Sequence, residues 1–257
     1  MRRSGGRSIL GAGVALVLAA PASAADFLPA VSLHLEAARY APVETDLHWT
    51  TTIGGGADLV GAGRARGYIV GDVETIIGNT RRAFDASQAN YHLEFGGRWR
   101  IGRARVSPFF HHVSRHLVDR QKAPAVDWNI LGVRAETVFG AGGRARVGGG
   151  VGHTTLASLV GYRWEVTAQG EVDLLRHDRV SGYGGARARL VTVDPDPALP
   201  RGGFVDWAVE GGVRFSHEHR RFDAFAAFEH RSDVFLLVAG ARDRALFGIR
   251  IRLLEGE

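Results

Sequence analysis

Residues 162–174 read YRWEVTAQGEVDL, and apolar residues alternate with polar ones along nearly the whole stretch. Side chains of a β-strand point alternately to opposite faces, so this period of two predicts a strand with one apolar and one charged face. Residues 91–101 (YHLEFGGRWRI) and 205–215 (VDWAVEGGVRF) show the same alternation. No stretch after residue 24 sustains a helical period, so the pattern favours an all-β chain.

The polar faces of these segments carry charges of both signs at mid-strand positions. A transmembrane barrel shows lipid an apolar band and keeps its charged residues in the lumen. Repeated mid-strand charges therefore indicate a polar interior, in which arginines can bind carboxylates on neighbouring strands. The residues predicted to face this lumen include Arg98, Arg134, Glu136, Glu165, Arg187, Arg189, Glu210 and Arg214.

Counting the alternating segments gives twelve predicted strands, an even number as in bacterial outer-membrane barrels. The sequence predicts an all-β fold: a single transmembrane antiparallel up-and-down β-barrel with a charged lumen, short periplasmic turns and longer outer loops. The predicted strands are residues 31–40, 47–60, 65–77, 88–101, 104–116, 126–139, 144–156, 161–174, 180–193, 204–215, 222–232 and 243–254.

Aromatic residues near the predicted strand ends match the two interfacial belts of a membrane protein. The outer belt is predicted from Trp49, Tyr91, Tyr162, Trp164 and Trp207, and the inner belt from Trp99, Phe139, Phe215 and Phe222.

The amino terminus has the pattern of a cleaved secretory signal. It begins MRRSGGRS, continues with an apolar run over residues 9–20, and reaches the small residues Ala22-Ser23-Ala24. We expect residues 1–24 to be removed and residues 25–257 to form the barrel in the bacterial outer membrane. Removing Arg2, Arg3 and Arg7 lowers the basic count from 32 to 29 against 27 acidic residues, so the formal charge falls from +5 to +2.

Two compositional facts narrow the function classes. The chain contains no cysteine, which excludes thiol nucleophiles and cysteine-based zinc sites. Its basic residues are arginines apart from Lys122, and they stand singly among apolar residues. Nucleic-acid-binding arms carry runs of basic residues instead, so we expect no nucleic-acid partner.

Chemistry-capable side chains cluster in residues 108–129, PFFHHVSRHLVDRQKAPAVDWN. Alternation places His112 and Ser114 on the lipid-facing side of the fifth strand, near its outer end. With a loop centred near Gln121, Asn129 on the sixth strand lies opposite these residues and faces lipid too. A hydroxyl, an imidazole and an amide in mutual reach match the needs of acyl transfer: a nucleophile, a base and a group that orients the base.

The pattern His112-Val113-Ser114 followed by Asp127-Trp128-Asn129 resembles outer-membrane phospholipase A, a twelve-stranded barrel with a lipid-facing Ser-His-Asn triad. The resemblance implies Ser114 as nucleophile, His112 as base and Asn129 as the orienting residue. It also implies a calcium cofactor, although Ala125, Val126 and Asp127 stand where that family has a calcium-binding serine. Uncharacterised barrel families carry a His-x-Ser-x-His-Leu-x-Asp pattern similar to residues 112–119.

Two non-enzymatic alternatives stay open at this point. The arginines of the lumen, notably Arg187 and Arg189, suit a narrow anion-preferring channel. The barrel can also have a structural or surface role, with the histidines forming an interfacial polar cluster. For each function we expect outer-membrane lipid and lipopolysaccharide as partners, and a monomer or homodimer. A metal site that uses both His111 and His112 is disfavoured, because consecutive strand residues point to opposite faces.

Overall fold

A computed structural model describes residues 25–118, 125–140, 142–194, 202–234 and 240–255. The predicted signal segment and Asp119 lie outside the described residues. Twelve antiparallel strands form one closed barrel, in which each strand pairs with the next and β12 pairs with β1. The strands are β1 (Asp26–Glu44), β2 (Leu47–Ala62), β3 (Ala65–Gly78), β4 (Asp85–Ile101), β5 (Ala104–Leu117), β6 (Val126–Phe139), β7 (Ala145–Ser158), β8 (Tyr162–His177), β9 (Val180–Val193), β10 (Gly203–His217), β11 (Arg220–Ser232) and β12 (Ala241–Glu255).

The predicted fold class and strand number are confirmed. Connections at the end that holds the chain termini are short, and four of them have only two residues: 63–64, 102–103, 178–179 and 218–219. Longer connections, including 79–84, 118–125, 194–202 and 233–240, lie at the opposite end. We call these the periplasmic and outer ends, because bacterial barrels have short periplasmic turns and longer outer loops. The described part of the chain contains no helix that could span a membrane.

The observed strands run from 13 residues in β11 to 19 in β1. Ten of them are longer than predicted, and β6 and β9 have the predicted bounds. A tilted strand needs about 9–11 residues to cross a bilayer. The additional residues therefore extend beyond the apolar band. Alternation of apolar and polar residues, on which the prediction rested, is weaker there.

The outer wall is apolar, and its interfacial belts lie near the two ends. Tyr91, Trp164 and Trp207 are exposed toward the outer end, and Trp99 and Phe139 toward the periplasmic end. The assignment of Tyr162 to the outer belt was wrong, because its side chain is only 6% exposed and packs inside the barrel. A register shift between Tyr162 and Glu165 in the β8–β9 pairing breaks the alternation, as β-bulges do.

The lumen is crossed by ion pairs, and the eight residues predicted to face it all take part in them. Near the periplasmic end, Arg214 contacts Glu171, Asp173 and Asp223 at 2.9–3.0 Å. Higher in the lumen, Arg189 contacts Glu165 at 2.7 Å and Asp206 at 3.2 Å. The remaining pairs of predicted residues are Arg98–Asp58, Arg134–Glu94, Arg105–Glu136 and Arg187–Glu210.

Four hairpins carry a repeated inward-facing unit, in which an aromatic ring on one strand pairs with the glycine of a Gly-x-Arg sequence on the next. The arginine two residues after the glycine stacks over the ring, with its guanidinium carbon 4.0–4.7 Å from the ring centroid. We call this the aromatic–glycine–arginine unit. Its members are Tyr68/Gly96/Arg98, Phe109/Gly132/Arg134, Tyr183/Gly212/Arg214 and Phe225/Gly248/Arg250.

Residues 233–234, which follow β11, fold inward at the outer end of the lumen. Tyr162 donates a hydrogen bond to Asp233 Oδ2 at 2.7 Å, and Arg115 donates to the Asp233 carbonyl oxygen at 2.5 Å. Gln88 donates to the Val234 carbonyl oxygen at 3.1 Å. Val234 is 3% exposed and packs in an apolar cluster with Leu47 and other inward residues. We call residues 233–234 the roof of the lumen.

Candidate active site

The candidate site lies on the outer wall where β5 and β6 approach their outer loop. Along β5, His112, Ser114 and His116 are partly or fully exposed, while Val113 and Arg115 between them are buried. This alternation follows from strand geometry and puts the three polar residues on the lipid-facing side. His112, Ser114 and Asn129 thus lie on one face of the hairpin.

The β5–β6 register pairs His112 with Asn129 and Ser114 with Asp127. His112 Nδ1 lies 2.7 Å from Asn129 Oδ1. An amide oxygen can only accept, so His112 Nδ1 carries the proton and donates it in this bond. The neutral ring then has an unprotonated Nε2, which is the atom that a general base needs.

Ser114 forms its hydrogen bond with His116, not with His112. Its Oγ lies 2.7 Å from His116 Nε2. The His116 ring packs edge-on against Tyr91 of β4, with 5.5 Å between ring centroids. The structure therefore brings His112 and Asn129 into contact, and it gives Ser114 a different imidazole partner from the predicted one.

No catalytic role was predicted for His116 from the sequence. The signal for it was present, because His112, Ser114 and His116 stand two residues apart and strand geometry places such residues on the same face. Ser114 thus has an imidazole two residues away on each side along the strand, and the one in hydrogen-bond contact with its hydroxyl is that of His116.

His112, Ser114, His116 and Asn129 form a polar cluster on the outer wall. Apolar side chains border this cluster on the side toward the membrane centre. Phe110 stacks on Phe95 at 4.9 Å between centroids, and Leu93 and Leu131 are 42% and 59% exposed on the same wall. The polar cluster thus sits where the apolar band meets the outer rim.

The lumen side of the same hairpin holds a different arrangement. His111 points inward and stacks on His92 of β4, with His92 Nδ1 and His111 Nε2 3.2 Å apart. His111 and His112 therefore face opposite sides of the wall. Within the described ranges, no three His, Asp or Glu side chains converge as a metal site.

The closed twelve-stranded barrel, its apolar wall and its charged lumen are those of a bacterial outer-membrane β-barrel protein. Among solved structures, outer-membrane phospholipase A from Escherichia coli is similar, with a TM-score of 0.56, 9% identity, and coverage of 86% of this chain and 95% of that chain. The outer-membrane phospholipase dimer from Salmonella typhi with bound calcium has a TM-score of 0.55 and 10% identity, covering 86% and 90%. At these identities the likeness establishes the shared fold alone. No family model and no curated protein sequence matches the chain.

Proposed function

We propose that the chain is a serine-dependent lipid acyl hydrolase that acts at the outer rim of the barrel wall. The observation that carries the proposal is the 2.7 Å hydrogen bond from His112 Nδ1 to Asn129 Oδ1, with Ser114 on the same lipid-facing side. This bond sets the tautomer that leaves His112 Nε2 free to accept a proton. The predicted roles are kept: Ser114 is the nucleophile, His112 the base and Asn129 the orienting residue.

The reaction proceeds in two balanced steps. Ser114 Oγ attacks the carbonyl carbon of a lipid ester while His112 Nε2 takes the hydroxyl proton, and His112 then returns that proton to the departing alkoxide. Water, deprotonated by the same nitrogen, attacks the acyl-serine; the acyl–oxygen bond breaks, the imidazolium returns the proton to Ser114 Oγ, and the fatty acid is released. For the first step the Ser114 hydroxyl rotates from His116 toward His112, which is a change between staggered rotamers.

The calcium ion implied by the phospholipase resemblance has no cluster of acidic ligands in the described donor set. Calcium takes 6–8 oxygen ligands from carboxylates, carbonyl groups and water. Asp127, which pairs with Ser114 in the hairpin register, is a single carboxylate, and no three acidic or histidine side chains converge among the described residues. We therefore assign no step to calcium.

The proposal is tested by measuring fatty-acid release from phospholipid in mixed micelles. Ser114→Ala removes the nucleophile, so we expect it to abolish release while the barrel still folds. Ser107→Ala is a matched control, because Ser107 lies on the same strand but is buried and faces the lumen. Unchanged release by Ser114→Ala, or no release by the parent protein, contradicts the proposal.

A fluorophosphonate probe gives a second readout that does not depend on finding the right lipid. Such probes react covalently with a serine hydroxyl that is activated by a neighbouring base. We expect labelling of the parent protein at Ser114, no labelling of Ser114→Ala, and full labelling of Ser107→Ala. Labelling that is equal in all three proteins would show that Ser114 is not activated.

The partners that follow from this proposal are outer-membrane phospholipid as substrate and lipopolysaccharide as the neighbouring outer-leaflet lipid. The wall position of Ser114 supports both, since its side chain points away from the lumen. Monomer or homodimer stays a prediction. The channel and structural alternatives assign no role to the His112–Asn129 contact, and they are separated from hydrolysis by the measurements on Ser114.

A further inference from the structure

The arginines of the lumen fall into two classes. Arg214, Arg231 and Arg250 are held by carboxylates at 2.5–3.0 Å. By contrast, within the described residues Arg115, Arg146 and Arg252 have no carboxylate partner within 4.0 Å. Arg187 is intermediate: it is 59% exposed, and its carboxylate contacts are as long as 3.8 and 4.0 Å. Arg115, Arg146 and Arg252, together with Arg187, line two cavities of the lumen.

The larger cavity, which we call the upper chamber, has a volume of about 650 Å³ and lies beneath the roof. Its lining includes Arg115, Trp128, Arg187, Glu74 and Glu229. Glu74 is already bound by Arg231 through two hydrogen bonds of 2.5 and 2.7 Å. Glu165 and Asp206, also in the lining, are likewise bound by Arg189. Among the described residues, no carboxylate is in salt-bridge contact with Arg115; of the other acidic residues in the lining, Glu229 contacts Arg187 at 3.8 Å, and Asp72 contacts His34 at 3.2 Å.

A smaller cavity of about 250 Å³ lies on the periplasmic side of the chamber. The two cavities share Arg187, Gln169 and Ala208 in their linings, so Arg187 stands between them. The smaller cavity is also lined by Arg146 and Arg252, which belong to strand segments close to the periplasmic turns and chain end. Arginines without a close carboxylate partner thus line the lumen from its periplasmic side to the upper chamber.

Two buried donors lie at the outer end of this row of arginines. Arg115 is 8% exposed and Trp128 is 2% exposed, and both line the chamber. In the part of the chain that the structure describes, neither Arg115 Nε nor Trp128 Nε1 has a hydrogen-bond acceptor. The guanidinium lies 5.2 Å from the indole centroid, so the two donors are neighbours. Leaving buried donors unsatisfied is costly, and an oxygen-bearing anion would satisfy both.

We propose that the lumen is a periplasm-facing vestibule that binds a small carboxylate- or phosphate-bearing anion, with Arg115 and Trp128 at its outer end and Arg187 between its two cavities. The smaller cavity is lined by four arginines, Arg146, Arg187, Arg250 and Arg252, against the two carboxylates Glu171 and Glu210, and this excess of positive charge attracts anions toward it. The roof, held by Tyr162 and Arg115, lies at the outer end. The vestibule is separated by the barrel wall from Ser114, so it does not depend on the proposed hydrolase activity.

The test is calorimetric titration of the whole barrel, in neutral maltoside micelles at low salt, with sodium acetate in one series and inorganic phosphate in another. We expect saturable one-to-one binding of at least one probe, and the two series distinguish a carboxylate from a phosphate site. Arg115→Gln and Arg187→Gln should each weaken binding about tenfold or more, the loss expected for one charge-assisted hydrogen bond. Arg187→Lys keeps the charge and should retain most of the affinity.

Arg64→Gln is the matched control, because Arg64 is an exposed turn residue that lines neither cavity. Retained heat-modifiable migration on gels shows that each variant is folded. Access is tested by Arg252→Glu at the periplasmic mouth and Arg163→Glu at the outer rim; only the first should weaken binding. The proposal is overturned if neither probe saturates, if Arg64→Gln weakens binding as much as Arg187→Gln, or if Arg163→Glu is the damaging reversal.

Discussion

Phe109 fills the space that a side chain at Gly132 would need, because the two residues face each other across the β5–β6 pair. A β-carbon at Gly132 would lie 2.6 Å from Phe109 Cζ and 2.6 Å from the Val151 carbonyl oxygen. The second atom is backbone and cannot turn away. We therefore expect Gly132→Ala to destabilise the barrel by about 1–3 kcal/mol, the usual cost of overpacking.

Urea unfolding in lipid bilayers measures this change. Gly71→Ala is the control, since the nearest atom to a β-carbon there is the His92 carbonyl oxygen at 3.9 Å. A loss of stability at Gly71 as large as that at Gly132 would mean that glycine content, not ring packing, sets the cost.

Asp223 anchors the ion pairs at the periplasmic end, and its side chain is completely buried. It accepts from Arg214 at 3.0 Å and from Arg221 at 2.8 Å. Asp223→Ala leaves two arginine charges without this carboxylate, so we expect a loss of about 3–5 kcal/mol in the free energy of unfolding. The exposed pair Arg163–Asp194 is the comparison, and Asp194→Ala should cost at most about 1 kcal/mol. Similar losses in the two variants would argue against a stabilising role for the buried network.

The two histidines beside Ser114 are distinguished by substitution. His112→Ala removes the proposed base, and we expect fatty-acid release to fall by at least about 10²-fold, as when a general base is lost. Asn129→Ala should give a smaller loss, because it releases the tautomer of His112 without removing the imidazole. His116→Ala should leave release largely intact, since it removes only the partner that holds the unreacted hydroxyl. The reverse result, with His116 essential and His112 dispensable, would assign the base to His116.

The roof should limit ion flow through the lumen. Tyr162 OH and Asp233 Oδ2 are 2.7 Å apart, and this bond ties residues 233–234 to the wall. We expect the parent barrel to give little conductance in planar bilayers, and the double variant Tyr162→Phe, Asp233→Ala to give clearly larger steps. Asp243→Ala, at an exposed outer-rim contact with His230, is the control. Large steps from the parent that shift with Arg187→Glu would instead favour the anion-preferring channel.

Much of the fold followed from the sequence because one physical rule acts along the whole chain. Every strand must separate lipid from lumen, so alternation in stretches such as residues 91–101 reveals both strand and orientation. The rule failed for Tyr162 because a bulge changes the face on which a residue lies. A single irregular position is hard to detect in an alternating pattern. The cross-strand partner of His112 was also accessible, since hairpin register fixes it. The hydrogen bond between Ser114 and His116 was not, because it depends on a side-chain rotamer.

In the lumen, too, some features could be predicted from the sequence and others could not. Sequence alternation places Arg187 and Arg214 inside equally well, but it cannot distinguish a tightly paired arginine from a loosely paired one. That difference arises from distant strands, as when Arg214 contacts Glu171 of β8 and Asp223 of β11. The roof is likewise non-local, because Asp233 meets Tyr162 and Arg115 from other parts of the chain. Gly-x-Arg is a local signal, but it also occurs elsewhere, as at residues 161–163 and 185–187, so the four members of the unit are identified only by the rings that oppose them.

The hairpin β7–β8 lacks the aromatic–glycine–arginine unit, and within the described residues the smaller cavity lies against it, lined by Arg146, Gln169 and Glu171. Its first strand carries Gly148, Gly149 and Gly150, so three successive positions of this wall add no side chain to either face. The barrel therefore combines hairpins that fill the lumen with stacked arginines and a hairpin that leaves space in it. A substitution at Arg146 of β7 can change the lining of this cavity, whereas a substitution at Glu171 or Asp173 of β8 would also remove a partner of Arg214.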